Sequence, residues 1–278
     1  MEKTVEKWYN RIGGNMKIIQ IASGSKGNAT LIETDYAKIL IDCGISKKRI
    51  IEALNKYNTN LEDLDAILLT HEHVDHVSGL IPVYNATNCS IFTTLGTYTG
   101  LSSKYTEKIP KSKFRFISND EYFEIGDILI ETVETFHDAL GSIGFVFKIY
   151  DKKIVYITDT GHIPEAHYEK LKDADMYIFE SNHDPEAVML SDRPYETKMR
   201  IISDYGHMSN MDCAIVLANL ITERTKDVVF AHISEECNLV QLVKLTSTRI
   251  FKELNVDVSN IKFHYASQVP LEVFELWK

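Results

Sequence analysis

One stretch limits the architectures open to this chain more than any other. It is Thr70-His71-Glu72-His73-Val74-Asp75-His76, directly after the apolar run Ala66-Ile67-Leu68-Leu69. Three of the ten histidines fall within six residues there. The apolar run reads as a buried strand. In extended backbone, residues two apart point the same way, so His71 and His73 can grip one cation together. Asp75 and His76 lie where the chain turns into the next helix and can aim at a second. Imidazole and carboxylate at this density suit Zn²⁺ or Mn²⁺, and a dinuclear site explains four ligating side chains so close together. The zincin pattern H-E-x-x-H fails, because the fourth residue after His71 is Asp75 and the context is a strand end. Solvated histidines clustered by chance would need the strand and the turn to be accidents as well.

Hydrophobic period gives strands at Lys17–Ala22, Ala29–Glu33, Lys38–Asp42, Ala66–Thr70, Phe114–Ile117, Ile128–Thr135, Ile143–Tyr150, Lys153–Thr158, Met176–Glu180 and Asp227–Ala231. Helices are expected over Ser46–Tyr57, Val77–Ala86, Glu165–Lys172, Tyr195–Ser203, Asn210–Ile221 and Asn238–Leu254. Strict βαβ alternation is missing, so the expected α/β fold is two mixed β-sheets sandwiched between helices. With 278 residues, and no Pro-, Gly- or Ser-rich linker or internal repeat, residues 16–278 are expected to form one domain.

The first fifteen residues look foreign to this plan, since Met16-Lys17-Ile18-Ile19 reads as the natural opening of a first strand. Two readings stand side by side for residues 1–15. Gly13-Gly14 could be a translated ribosome-binding site ahead of Met16, or the segment is a real extension in which Trp8 packs on the domain. No run approaches the roughly 18 apolar residues of a membrane span, and the N-terminus is charged where a signal peptide would be apolar. The expected location is the cytoplasm. Cys43, Cys89, Cys213 and Cys237 stand singly, which argues for buried thiols over a disulfide framework or a thiolate zinc site.

On its histidine motif the chain resembles the metallo-β-lactamase superfamily, whose H-x-H-x-D-H follows the same strand. Phe136-His137-Asp138 resembles that family's third motif, Thr158-Asp159-Thr160-Gly161 its bridging Asp, and Ala231-His232-Ile233-Ser234 its final His. The resemblance implies one metal on His71, His73 and His137, a second on Asp75, His76 and His232, and Asp159 between them. Ile21–Ala29, Leu40-Ile41-Asp42-Cys43-Gly44, Glu180–Asp184 and Gly206–Asn210 are similar to the YycJ/WalJ type, a group of 5′-to-3′ DNA exonucleases. Glu180, Gly206-His207-Met208-Ser209 and the His232 motif are also similar to RNase Z. One departure is Glu236-Cys237-Asn238, where YycJ-type chains commonly read Glu-Asn-Asn. It could remove a polar contact near His232 or bring Cys237 toward a metal. Only 73 positions separate Asp159 from His232, too few for a β-CASP insertion, and the flexible arm with which RNase Z grips tRNA is missing.

The implied activity is a phosphodiesterase with two divalent cations, Zn²⁺ or Mn²⁺, acting on DNA. Paired cations lower the pKa of a shared water to about 7, so hydroxide is available at neutral pH. Asp75 is the candidate general base or orienting group. The leaving sugar oxygen needs a proton, and on the RNase Z likeness His207, oriented by Glu180, is the donor. Ser209 with Asp212 also resembles a capping box, which offers His207 a structural role instead. Candidate substrate contacts are Ser25, Lys26 and Asn28 in a Gly-bounded turn, with Asn182, His183 and Ser209; each could equally be a turn or loop hydrogen bond.

A net charge of −10 counts against a polyanionic partner unless cations or a local strip reverse it. Lys104, Lys108, Lys111, Lys113 and Arg115, interleaved with Tyr105, Phe114 and Phe116, form such a strip, in the composition that tracks a nucleic-acid strand or simply a solvated face. A small-molecule phosphodiesterase and an acyl hydrolase on lactam, lactone or thioester remain alternatives on the same metals, as does a metal-holding regulatory protein. Acyl chemistry has no need of the Glu180–His207 arrangement.

Overall fold

The computed structural model describes residues 14–275. Residues 1–13, including Trp8 and Gly13, lie outside the described residues, so the two readings of the N-terminal segment are not addressed. Asn15, placed in that segment by the sequence, is bonded to Asp35, in the turn that follows Thr34. Its backbone N–H donates to Asp35 Oδ2 at 3.0 Å and its amide to Oδ1 at 3.2 Å.

Among the described residues, fourteen strands form two mixed seven-stranded sheets. The first sheet contains β1 (Met16–Ala22), β2 (Ala29–Thr34), β3 (Lys38–Ile41), β4 (Ala66–Leu68), β5 (Ser90–Thr93) and β6 (Phe114–Phe116). The second contains β7 (Tyr122–Ile125), β8 (Ile128–Glu134), β9 (Ile143–Ile149), β10 (Lys152–Ile157), β11 (Met176–Glu180), β12 (Asp227–Ala231) and β13 (Lys262–Tyr265). β14 (Phe274–Glu275) returns to the first sheet, giving the orders β14-β1-β2-β3-β4-β5-β6 and β13-β12-β11-β10-β9-β8-β7. In each sheet an antiparallel portion leads into a parallel one, from β3 to β6 and from β10 to β13. Parallel strands require crossover connections, and helices such as Lys47–Asn55 and Asn210–Leu220 fill them.

Strand side chains alternate, so a strand apolar on both faces is buried on both. Ile39 and Ile41 of β3 enter the layer between the sheets with Phe145, Phe147, Tyr156 and Ile178. Leu40 faces the other way, onto Ile50, Leu54 and Leu80 of the covering helices. The second sheet repeats the pattern, with Tyr177, Phe179 and Phe230 packed against Leu217 and Val243. The result is helix, sheet, sheet, helix, as expected from the sequence. Among the described residues no helix is long and apolar enough to cross a membrane.

Candidate metal centre

β3, β4, β10, β11 and β12 end at one edge of the sandwich, the edge at which parallel sheets place ligand sites. Three residues just past these ends, Asp42, Asp159 and His232, take left-handed backbone at φ 59°, 57° and 53°. Such φ values are uncommon away from glycine, and their grouping here turns three chain segments sharply into one space.

Four of the five candidate ligand histidines, all but His73, are held from behind. Asp42, fully buried, accepts from the Thr70 N–H and hydroxyl, both at 2.9 Å, and from His76 Nδ1 at 2.8 Å. The Thr70 hydroxyl lies 3.1 Å from His71 Nδ1, the Gly206 carbonyl accepts from His137 Nδ1 at 2.8 Å, and Glu180 Oε1 lies 3.1 Å from His232 Nδ1. Partners of this kind fix ring orientation and leave the second nitrogen with its lone pair. Those lone pairs converge. Donor atoms of His71, His73 and His137 lie within 4.8 Å of one another, as do those of Asp75, His76 and His232, and those of His71, His76 and Asp159. Asp159 stands between the groups, with Oδ2 3.2 Å from His76 Nε2 and Oδ1 3.4 Å from His232 Nε2 and 3.9 Å from His137 Nε2. His71 Nε2, His232 Nε2 and Asp159 Oδ2 are buried without a hydrogen-bond partner. Buried polar atoms are normally satisfied, so these three fit cations received at this place.

Without cations the carboxylates act on the imidazoles instead. Burial would lower the His232 pKa, but Asp159, Asp75 and Glu180 outweigh it and lift it to about 10. His71 and His137, where burial prevails, are held below the ordinary histidine value.

His207 lies beside the ligand groups, its ring centroid 4.9 Å from that of His137 and 5.3 Å from that of His232. Its Nδ1 is 2.8 Å from Glu180 Oε1. Glu180 Oε2 accepts from the Thr160 N–H at 2.9 Å and the Met208 N–H at 3.3 Å, so the buried carboxylate is surrounded by donors. Burial would raise its pKa, yet His207 and His232 hold it well below the carboxylate range.

The substrate-contact candidates are placed less uniformly. Ser25 is exposed, and Lys26 is exposed and paired with Glu235. Asn28 is buried and turned to the ligands, its amide 3.0 Å from His76 Nε2 and 3.3 Å from Asp75 Oδ2. Asn182 is a brace, donating to the His232 carbonyl at 2.8 Å. His183 is buried, with Nδ1 unpartnered. Ser209 caps the helix Asn210–Leu220, accepting from the Asp212 N–H at 3.1 Å. The capping reading thus belongs to Ser209 and leaves the His207 ring free for Glu180. Cys237 does not approach the ligands; it packs with Val188 and Ile201, while Asn238 donates to the Ser181 and Asn182 carbonyls. Lys111 and Lys113 of the basic strip are not brought to the site either. Lys111 and Lys113 precede β6, which runs parallel to β4 through β5, so they lie at the end of the sheet opposite His71.

Asp42 was not assigned a role from the sequence. The available signal was a carboxylate placed directly after an apolar strand next to the one that leads to His71, the position that made His71 conspicuous.

A family model described as a beta-lactamase superfamily domain matches residues 37–233. The chain is 34% identical over 239 residues to "Exodeoxyribonuclease WalJ" of Streptococcus pneumoniae, covering 86% of this chain and 89% of that protein. It is 33% identical over 233 residues to "Exodeoxyribonuclease YycJ" of Bacillus anthracis, covering 84% and 88%. The metallo-beta-lactamase fold protein YhfI of Bacillus subtilis superposes with a TM-score of 0.70 at 17% identity, over 94% of this chain and 100% of YhfI. That likeness carries the fold alone. Family model, sequence and fold agree: the chain belongs to the beta-lactamase superfamily and, within it, to the family of WalJ and YycJ.

Proposed function

We propose that the protein is a cytoplasmic, metal-dependent DNA nuclease, acting as a 5′-to-3′ exonuclease with two divalent cations, Zn²⁺ or Mn²⁺. Its relatives at 34% and 33% identity carry the name exodeoxyribonuclease and match it over most of both chains. His71, His73 and His137 would hold one cation and Asp75, His76 and His232 the other, with Asp159 shared. When bound, such cations make a nucleophile available at neutral pH and neutralise charge on a phosphoryl group. Asp75, whose Oδ2 lies 3.5 Å from both His76 Nε2 and His232 Nε2, is the residue this reading assigns to orienting that nucleophile.

The observation that carries the choice of phosphodiester chemistry is the Glu180–His207 pair. Glu180 accepts at His207 Nδ1, so the proton to be given sits on Nε2 of the doubly protonated ring. A sugar oxygen leaves poorly without a proton, and an imidazolium charge-stabilised from behind is suited to give one. Ser25 and Lys26, exposed on the turn after β1, and Asn28 beside Asp75 are the substrate contacts this reading favours. Asn182, His183 and Ser209 act through the loops they brace.

The test is hydrolysis of single- and double-stranded DNA, end-labelled at either end, by protein loaded with Mn²⁺ or Zn²⁺. Mononucleotides released from the 5′ end, with loss of activity in chelator, are expected. Efficient lactam or thioester turnover without DNA cleavage would overturn the reading in favour of an acyl hydrolase.

A further inference from the structure

The ligand groups described above leave out the residue next to His137. Asp138 directs Oδ1 to within 3.2 Å of His137 Nε2 and 3.9 Å of His73 Nε2. Its other oxygen, Oδ2, is paired with Arg200 on the helix Tyr195–Ile201.

The contact with His137 is chemically odd. His137 Nδ1 lies 2.8 Å from the Gly206 carbonyl, which can only accept, so the ring proton sits on Nδ1. In the neutral ring Nε2 therefore carries a lone pair, and it faces a carboxylate oxygen. His73 Nδ1 also lies 3.2 Å from this same Nε2. Whichever tautomer His73 adopts, the Asp138 oxygen and His137 Nε2 are two electron-rich atoms in contact. A cation between them turns that repulsion into attraction.

Charge points the same way. His71, His73 and His137 are three neutral ligands for a divalent ion, whereas Asp75 belongs to the second group and Asp159 is shared. A carboxylate at the first group would balance charge that the imidazoles leave uncompensated. Like His73, whose side chain is 34% exposed, Asp138 and Arg200 are partly open to solvent, with side-chain exposures of 31% and 52%. We propose that Asp138 is a further ligand of the cation held by His71, His73 and His137, on the solvent side of that site. Oxygen donors favour harder ions, so Asp138 would shift this position toward Mn²⁺ relative to three imidazoles alone.

The inference rests on the reading that the centre holds two cations, and the experiment separates the two. Mn²⁺ and Zn²⁺ affinities are measured by competition with a fluorescent chelator on the whole protein, in wild type, Asp138→Ala, Asp138→Asn and His71→Ala. Circular dichroism and melting temperature confirm the fold of each variant. Wild type should bind two ions, and His71→Ala should lose one. Both Asp138 variants should keep two ions but hold one of them about 10–100-fold more weakly, with the larger loss for Mn²⁺. The visible absorption of the Co²⁺-loaded protein should change in the same variants. Wild type that binds no ion would overturn the metal centre itself. Two ions bound by folded Asp138→Ala and Asp138→Asn with unchanged affinity and unchanged Co²⁺ absorption would overturn the assignment of Asp138 alone.

Discussion

Replacing His207 with alanine separates proton donation from every other contribution of the site. The ring leaves behind Glu180, whose carboxylate keeps the Thr160 N–H at 2.9 Å, the Met208 N–H at 3.3 Å and His232 Nδ1 at 3.1 Å. Three donors remain, so the variant should fold and retain its cations. A general acid contributes roughly 10²–10⁴-fold where a poor leaving group develops charge, or about 2.7–5.5 kcal/mol of barrier. Nitrophenolate departs without a proton. His207→Ala should therefore lose at least about a hundredfold in kcat on DNA while hydrolysing bis-(p-nitrophenyl) phosphate at close to the wild-type rate. Glu180→Gln should show a milder version of the same split, because it would orient and charge-stabilise the imidazole without giving up a proton. The assay is steady-state kinetics on both substrates at saturating metal, with metal content measured in parallel. Equal loss on both substrates, with cations retained, would refute the donor role and leave His207 as a positioning or packing residue.

Metal removal should lower the melting temperature as well as abolish activity, since the ligands come from both sheets; at a free ion concentration a thousandfold above Kd the stabilisation is about 4 kcal/mol. An unchanged melting temperature in chelator would show that the centre does not tie the sheets together. Burial pushes the His183 pKa down to about 4, so the unfolded chain takes up a proton that the folded one refuses. Stability should therefore fall as pH drops from about 6.5 to 4, by at most ~3 kcal/mol, and urea midpoints of wild type and His183→Asn measured across that window should converge toward acid. Parallel pH profiles would count against it. Lys111→Glu with Lys113→Glu should leave turnover of a small diester unchanged and weaken binding only of strands long enough to reach the far end of β4–β6, read as the salt dependence of binding for short and long oligonucleotides. Equal weakening for both lengths would mean that these lysines act on the centre itself.

The residues that converge at the candidate centre are the most legible part of the chain, because most stand shortly after a buried apolar run, where the change from greasy to polar residues is abrupt. Strand boundaries were read a residue or two long, as at Ala66–Thr70, because Leu69 and Thr70 are as apolar or β-prone as the strand they leave. β5, β7, β13 and β14 carry no readable period. They are two to four residues long, and β13 presents Lys262 and His264 in an edge position where few apolar residues are needed. The helix Pro185–Leu190 was missed for a related reason: at six residues it has too few turns to show a period, although Asp184 caps it with bonds of 3.0 Å to the Glu186 and Ala187 N–H groups. The supporting shell was least visible, since Asn28, Thr70 and Asn182 act through hydrogen bonds to partners far along the chain, and no local pattern announces such a partner.

The pairing of β1 with β14 carries a consequence for synthesis. β1 is the first strand of the described chain, buried on both faces, and among the described residues its outer edge is closed by Ile18 and Lys17 meeting Phe274 and Glu275. At about 5–20 residues per second, the interval between the emergence of Ala22 and that of Phe274 is of order 10–50 s. Throughout that time a newly made chain offers an unpaired apolar strand edge, the kind that recruits neighbouring chains. Ribosomes translating one message in close succession would present several such edges at once, so the yield of soluble protein should depend on the speed and spacing of translation more than on the stability of the finished fold.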